Sequence, residues 1–236
     1  MSVMNRICYC LALLSVICIG CDKDDVTKFY DATVTLKPVP GGGFYMEQDD
    51  STALYATNLI KYPYPDFPEK RALISYTDKK ISSNKVAGYK YTYDVTMARI
   101  DTTRTQNPVP SLGSAFKDAQ AYGDDAIGVF LNNVFPVTMI EDGYLSVSYE
   151  FLGSGTVPHT LNLVTNVNPE DPFEVELRHY DGGDAALREY AGMIAFPLKE
   201  LDTHGDTVTL TLKWHSLATG HMASAQFKYC SRTDWP

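Results

Sequence analysis

Cys21 is the side chain in this 236-residue sequence whose surroundings most resemble a site of chemistry. Residues 1–20 carry one charge, Arg6, and an apolar run extends from about Ile7 to Gly20. That run is too short for a membrane span, which takes roughly 20 apolar residues, but it suits the core of a secretory signal. Cys18-Ile19-Gly20-Cys21 reads as a bacterial lipobox, with Cys18 where Leu is usual. In such a motif the thiol takes a diacylglyceryl group, the signal is cut just before the Cys, and the new amine is acylated, palmitate being among the expected chains. An ordinary signal peptide cut at another small residue is the plainer alternative. Several acyl chains hold a protein far more firmly than one, which binds only marginally. The following Asp22, Lys23, Asp24 and Asp25 resemble the acidic export signals of surface lipoproteins. A retention mark (Asp directly after the Cys) and a merely solvated linker are the alternatives. Residues 1–20 are therefore expected as a signal peptide and 21–28 as an acidic tether. The mature protein is expected to be lipid-anchored at the outer membrane and exposed on the cell surface.

The other chemical candidates are weaker. His215 and His221 stand six apart across a Gly-bearing turn, a spacing that fits two hairpin-loop histidines better than a zinc pair at helical or knuckle spacing. Asp181 and Asp184 flank two glycines but lack the alternating acids and terminal Glu of a calcium loop. A turn followed by a helix capped at Asp184 explains them better. His179 falls on the apolar face of its segment, as a buried, hydrogen-bonded histidine would. Cys230 shows neither a base partner nor a cause for a depressed pKa, so an inert thiol is expected. Gly153-Ser154-Gly155-Thr156 lacks the nucleophile elbow of hydrolases, and no phosphate-binding or dinucleotide fingerprint occurs. The expectation is a protein with no catalytic residues, no metal and no cofactor; an unrecognised hydrolase is the weak alternative.

Composition sets further bounds. Without residues 1–20 the chain keeps 19 Lys and Arg against 29 Asp and Glu, a net charge near −10, with no basic block. Nucleic acid needs a basic footprint and is excluded as a partner. Peripheral binding to anionic lipid by charge is likewise disfavoured. Of five cysteines, Cys8, Cys10 and Cys18 leave with the signal and Cys21 is lipidated, so Cys230 is alone and no internal disulfide can form. An exported domain of this kind must be held by its apolar core.

Period-two alternation dominates the rest of the chain and marks half-buried strands. In residues 31–37, Ala32, Val34 and Leu36 share one face, and Asp31, Thr33, Thr35 and Lys37 the other. Residues 44–50, 53–57, 71–77 and 89–100 supply four more strands, enough for a small antiparallel barrel over 29–104. Residues 105–125, punctuated by Pro108, Pro110, Gly113 and Gly123, read as a linker with one helical turn around 115–119. In 143–151, Leu145, Val147, Tyr149 and Phe151 face the core and Ser146, Ser148 and Glu150 face solvent. Residues 159–164, 172–180, 206–214 and 225–230 alternate similarly. With 126–137 and 192–198 they give about seven strands, a β-sandwich over 126–236. Residues 184–191 form the clearest helix candidate.

"GGFYMEQDDSTALYATN", "EKRALISYT", "GYLSVSYEF", "HTLNLVTNVNPEDPFEVELRH" and "GMIAFPL" together resemble the NigD-like family over about residues 30–231. The resemblance implies an all-β bacterial lipoprotein: a five-stranded OB-like barrel followed by a C-terminal antiparallel β-sandwich. The family name comes from a bacteriocin gene cluster, which suggests an immunity role, and the family brings no established catalytic residues.

The most promising binding segment is residues 61–69, where Tyr62, Tyr64 and Phe67 alternate with Pro63, Pro65 and Pro68. Prolines stiffen the backbone, so a ring presented there loses little entropy on binding, and OB folds bind oligosaccharides through one face and its loops. The plainer alternative is that these rings seal the barrel end or dock onto the sandwich. The expected function is a non-catalytic surface for a glycan or an envelope protein, formed by this loop and the interdomain cleft. A bacteriocin-immunity or inhibitor protein is the alternative, mildly disfavoured because acids are spread along the chain. Mass spectrometry of the mature N-terminus is expected to find Cys21 acylated, and Cys21→Ser to move the protein into the detergent-free soluble fraction.

Overall fold

The structure is a computed structural model that describes residues 27–132, 135–185 and 187–236. The segment expected as a signal peptide, and Cys21, lie outside the described residues. In chain order the strands are β1 (Tyr30–Pro38), β2 (Phe44–Asp49), β3 (Thr52–Ala56), β4 (Lys70–Ile81), β5 (Tyr91–Thr102), β6 (Arg104–Thr105) and β7 (Val109–Pro110). Helix α1 (Ala115–Tyr122) follows. The chain then runs through β8 (Gly128–Val129), β9 (Met139–Glu141), β10 (Tyr144–Gly153), β11 (Thr160–Thr165), β12 (Glu174–Tyr180), β13 (Arg188–Pro197), β14 (Val208–His215) and β15 (Met222–Tyr229).

β1 to β5 close into a barrel in the order β1-β2-β3-β5-β4, with β4 returning to β1 and β3 parallel to β5. This is the connectivity of an OB-type barrel. Ala32, Val34, Leu36, Met46, Leu54, Ile74 and Val95 fill it, and each is at most 6% exposed. The rest makes a β-sandwich. One sheet runs β6-β13-β10-β8, with β9 also on β10, and the other runs β15-β14-β12-β11-β7. Leu145, Val147, Leu163, Val175, Leu177, Ile194, Phe196, Leu210 and Leu212 meet between the sheets. Most long pairings are antiparallel, but β12 and β14 run parallel.

Residues 105–125 do more than connect. β7 pairs with β11, β6 pairs with β13, and α1 occupies two turns, with the Ser114 hydroxyl accepting from the Lys117 amide at 3.3 Å. The helix expected over 184–191 does not form among the described residues. From Arg188 the chain enters β13, whose ten-residue register with β10 satisfies far more backbone groups than a marginal two-turn helix could. Asp184 caps a turn instead: its carboxylate accepts from the Ser154 amide at 2.6 Å and the Ser154 hydroxyl at 2.7 Å.

A second correction concerns faces. Thr33, Thr35 and Lys37, on the polar side of β1, are 4%, 0% and 8% exposed. Ser146 and Ser148 are 0% and 2% exposed. The sandwich covers the outer face of β1 and β4, so Ser146 meets Arg71 of the barrel. Ser148 lies beneath Thr138, which bonds both its amide and its carbonyl. Alternation reports the two faces of one sheet and is blind to a neighbour packed on the polar one.

The two cores are separate apolar clusters, so each module carries its own stability. Phe196→Ala in the sandwich, where the ring is 0% exposed, is expected to cost about 3–5 kcal/mol. A lower urea midpoint with an unchanged slope would be the signature.

Candidate interaction sites at the domain junction

The barrel and sandwich meet around Arg71. Its side chain is buried, with Nη1 donating to Thr35 Oγ1 at 2.9 Å, Nη2 to Ser146 Oγ at 3.3 Å, and the guanidinium 5.7 Å from the Tyr144 ring centroid. Burial pulls its pKa below the usual arginine value, opposed by the fields of Asp142 and Glu141. The Asp142-Gly143 turn between β9 and β10 has positive φ at both residues (51° and 73°), the two-residue hairpin geometry that Asp-Gly favours. A Cβ on Gly143 would stand 2.6 Å from the Trp235 ring, so glycine also lets the C-terminal tail pack there.

That tail latches the two modules. Arg232 grips Glu69 with two parallel bonds of 3.0 Å, reaches Asp142 at 3.2 Å and bonds Asp234 at 2.7 Å. Lys37 of β1 bonds Asp142 at 2.9 Å and pairs with Glu47, whose other partner is the Tyr89 hydroxyl. Burial works against the Lys37 charge, but Glu47 and Asp142 outweigh it and hold its pKa above the usual value. Tyr144 donates to Glu69 at 2.5 Å and packs its ring edge-on to Trp235, 5.1 Å between centroids. Burial and the Glu69 carboxylate both push the Tyr144 phenol up. Charged groups buried this deeply survive only when paired.

Beside this latch opens a cleft of about 530 Å³, lined from the barrel by Lys37, Glu47, Asp50 and Tyr89 and from the sandwich by Glu141 and Arg232. Five carboxylates (Glu47, Asp50, Glu141, Asp142 and Asp234) meet three cations (Lys37, Lys228 and Arg232) on its lining, so its balance is acidic. Glu141 is the most perturbed acid there. Burial, then the charge of Asp50, raises its pKa to about 7, with Arg71 opposing.

The aromatic loop lies at the same end of the barrel. Tyr62 and Tyr64 are half-buried and pack against the barrel core. The Tyr62 ring is 6.0 Å from Phe44 and 6.2 Å from Tyr64. Burial raises the Tyr62 phenol to about 12. Phe67 is 47% exposed and carries the Lys70 ammonium 4.3 Å over its ring. Two of the three rings therefore plug the barrel mouth, and one is presented to solvent.

The other sequence candidates lie apart from the cleft, except Cys230, an exposed free thiol on its wall. His179 is 2% exposed and its Nε2 lies 2.9 Å from His159 Nδ1, while its Nδ1 lies 3.1 Å from the Ala126 carbonyl. Burial lowers its pKa. His215 ends β14, with its ring nitrogens 2.8 Å and 2.9 Å from the Asp124 and Gly220 carbonyls. His221 begins the return across the turn, as hairpin-loop histidines do. Among the described residues, no three His, Cys, Asp or Glu side chains are arranged to hold a metal ion. None of them forms a helix long and apolar enough to cross a membrane. Arg71, Glu141, Asp142 and Arg232 had no mark in the sequence. The Asp-Gly turn signal could have located Asp142 but not its partners, which lie 105 and 90 positions away.

A closed OB-type barrel latched to a β-sandwich through a buried ionic junction defines the class of protein. The model of the NigD-like C-terminal beta sandwich domain matches residues 107–229, and the chain belongs to that family. No curated protein matches the sequence. A candidate toxin-related protein from Parabacteroides distasonis is similar in structure at 27% identity and a TM-score of 0.66, over 86% of this chain and 94% of that one. A protein of unknown function from Bacteroides vulgatus is similar at 18% identity and a TM-score of 0.63, over 86% and 91%. A NigD-like immunity protein from Bacteroides caccae is similar at 18% identity and a TM-score of 0.57, over 88% and 100%.

The Glu141 carboxyl supplies a pH test of the junction. Its pKa is raised on folding, so its contribution is fully present below the ordinary value near 4.5 and is lost as pH rises through about 7. Glu141→Gln is expected to raise the melting temperature at about pH 8 and to leave it nearly unchanged at about pH 4.

Proposed function

We propose that this chain is a non-catalytic, lipid-anchored envelope protein of the immunity type. It binds a protein partner through the acidic cleft between barrel and sandwich. The observation that carries the reading is that cleft: about 530 Å³ of concave surface between two latched modules, with Asp50, Glu47 and Glu141 on its walls. A carboxylate whose charge is disfavoured by burial and by neighbouring acids gains most from an approaching cation, so a basic loop of a partner is the fitting occupant. Acids that look scattered in the sequence converge here, outnumbering the cations beside them, which supports an immunity role. The 27% likeness to a candidate toxin-related protein supports the same direction.

A glycan is the second reading, and exposed Phe67 is the feature that favours it. Tyr62 and Tyr64 serve that reading less well, because their rings are engaged with the barrel core.

Charge reversal separates the two. Cells carrying Asp50→Lys with Glu141→Gln are expected to lose protection against bacteriocins of kin strains, at unchanged levels of folded protein. Survival equal to the wild type would reject the cleft. Loss of glycan retention on Phe67→Ala, with protection intact, would favour the glycan.

A further inference from the structure

The barrel has a second mouth, at the end where the chain enters. Four tyrosines gather there from three strands. Tyr30 stacks on Tyr76 at 5.5 Å between centroids, and Tyr91 on Tyr93 at 6.4 Å. Each solvent-side ring carries a lysine ammonium: Lys28 lies 4.8 Å over Tyr30, Lys79 4.4 Å over Tyr93 and Lys90 5.0 Å over Tyr91. Around them Phe29 is 59%, Ile81 81% and Tyr91 43% exposed. The sandwich does not cover this end. Its polar contacts are with Lys37, Glu69 and Arg71, and its Phe135–Pro136 segment reaches only to Asp31 and Ser75, whereas Tyr76 to Ile81 run on to the far end of β4.

We infer that this mouth rests in the interfacial layer of the bilayer that holds the acyl chains. The inference rests on lipid anchoring at Cys21 and adds the orientation. Only six residue steps separate Cys21 from Thr27, where the described chain begins. A chain of that length spans at most about 20 Å. Once Cys21 is in the membrane, the start of β1 and the tyrosines around it cannot stand far from it. The chemistry of the mouth matches the layer it reaches. Tyrosine rings concentrate at headgroup depth, and lysines lay their stems along apolar surface while the ammonium stays wet. Phe29 and Ile81, costly to leave in water, would enter the boundary of the acyl region. Asp31, Asp78 and Asp94 belong to the same end and offset most of the charge of Lys28, Lys79, Lys80 and Lys90, so anionic lipid is not required. The sandwich, docked at the start of β4, then points away from the membrane, and the cleft opens at the side, its Asp50 and Tyr89 wall next to Tyr91.

The test uses the full acylated chain, with Cys230→Ser, in phosphatidylcholine vesicles containing lipids nitroxide-labelled at the headgroup and upper chain. A fluorophore is attached at Ile81→Cys in one sample and at Ala218→Cys, on the β14–β15 turn, in another; circular dichroism checks the fold of each. Strong quenching at 81 and none at 218, unchanged in high salt, is expected. Equal quenching at both positions in protein that floats with vesicles would overturn the orientation and leave the anchor standing. Quenching at 81 that vanishes in high salt would overturn the aromatic and apolar basis. Protein that does not float with vesicles would overturn the anchor, and the orientation with it.

Discussion

The arrangement of the molecule depends on one buried charge, Arg71, held between two modules that fold around separate cores. The guanidinium leaves water entirely and receives hydroxyl partners from both sides: Thr35 of the barrel and Ser146 of the sandwich. Asp142 stands close enough to act on it through its field and is itself held by Lys37 and Arg232. Removing one member of such a set leaves another charge buried without compensation, which is far more costly than never having buried the set. Ion networks of this kind add little net stability, but they tolerate only one docking geometry. An apolar contact between the modules could slide, whereas a bidentate Arg232–Glu69 pair cannot do so without breaking both bonds.

That fixed geometry gives the two surfaces of interest their relation. The cleft exists because the modules touch along β1 and the start of β4 and diverge toward Asp50 and Tyr89. The tyrosine-lined mouth is at the opposite end of the barrel from the latch. The C-terminal tail closes the ring of contacts, with Trp235 on Tyr144 and Arg232 in the centre. The last few residues are therefore part of the junction, although their sequence reads as an ordinary polar end.

Within the sandwich, β12 and β14 are parallel neighbours, and short strands finish the sheets: β6 and β7 come from the chain between the modules. This borrowing is why residues 105–125 belong structurally with the sandwich. Glycines and prolines there set turns between short paired pieces, and composition cannot distinguish such a segment from a free linker. The same limit explains residues 184–191. Local propensity favours a helix, but a ten-residue ladder with β10 is available only in three dimensions, and it wins.

What the sequence by itself determined is the class of structure: strands by alternation, a barrel followed by a sandwich, and a family resemblance carried by particular segments. These properties are local or compositional, and period-two burial writes them directly into residue order. The tertiary structure decided which polar faces are buried, that Tyr62 and Tyr64 plug a barrel mouth, and that dispersed charged side chains gather at the junction and at the second mouth. The physical reason is that pairing, burial and field strength depend on distance in space. Arg232 and Glu69, 163 residues apart, carry no mark in the sequence that they will meet.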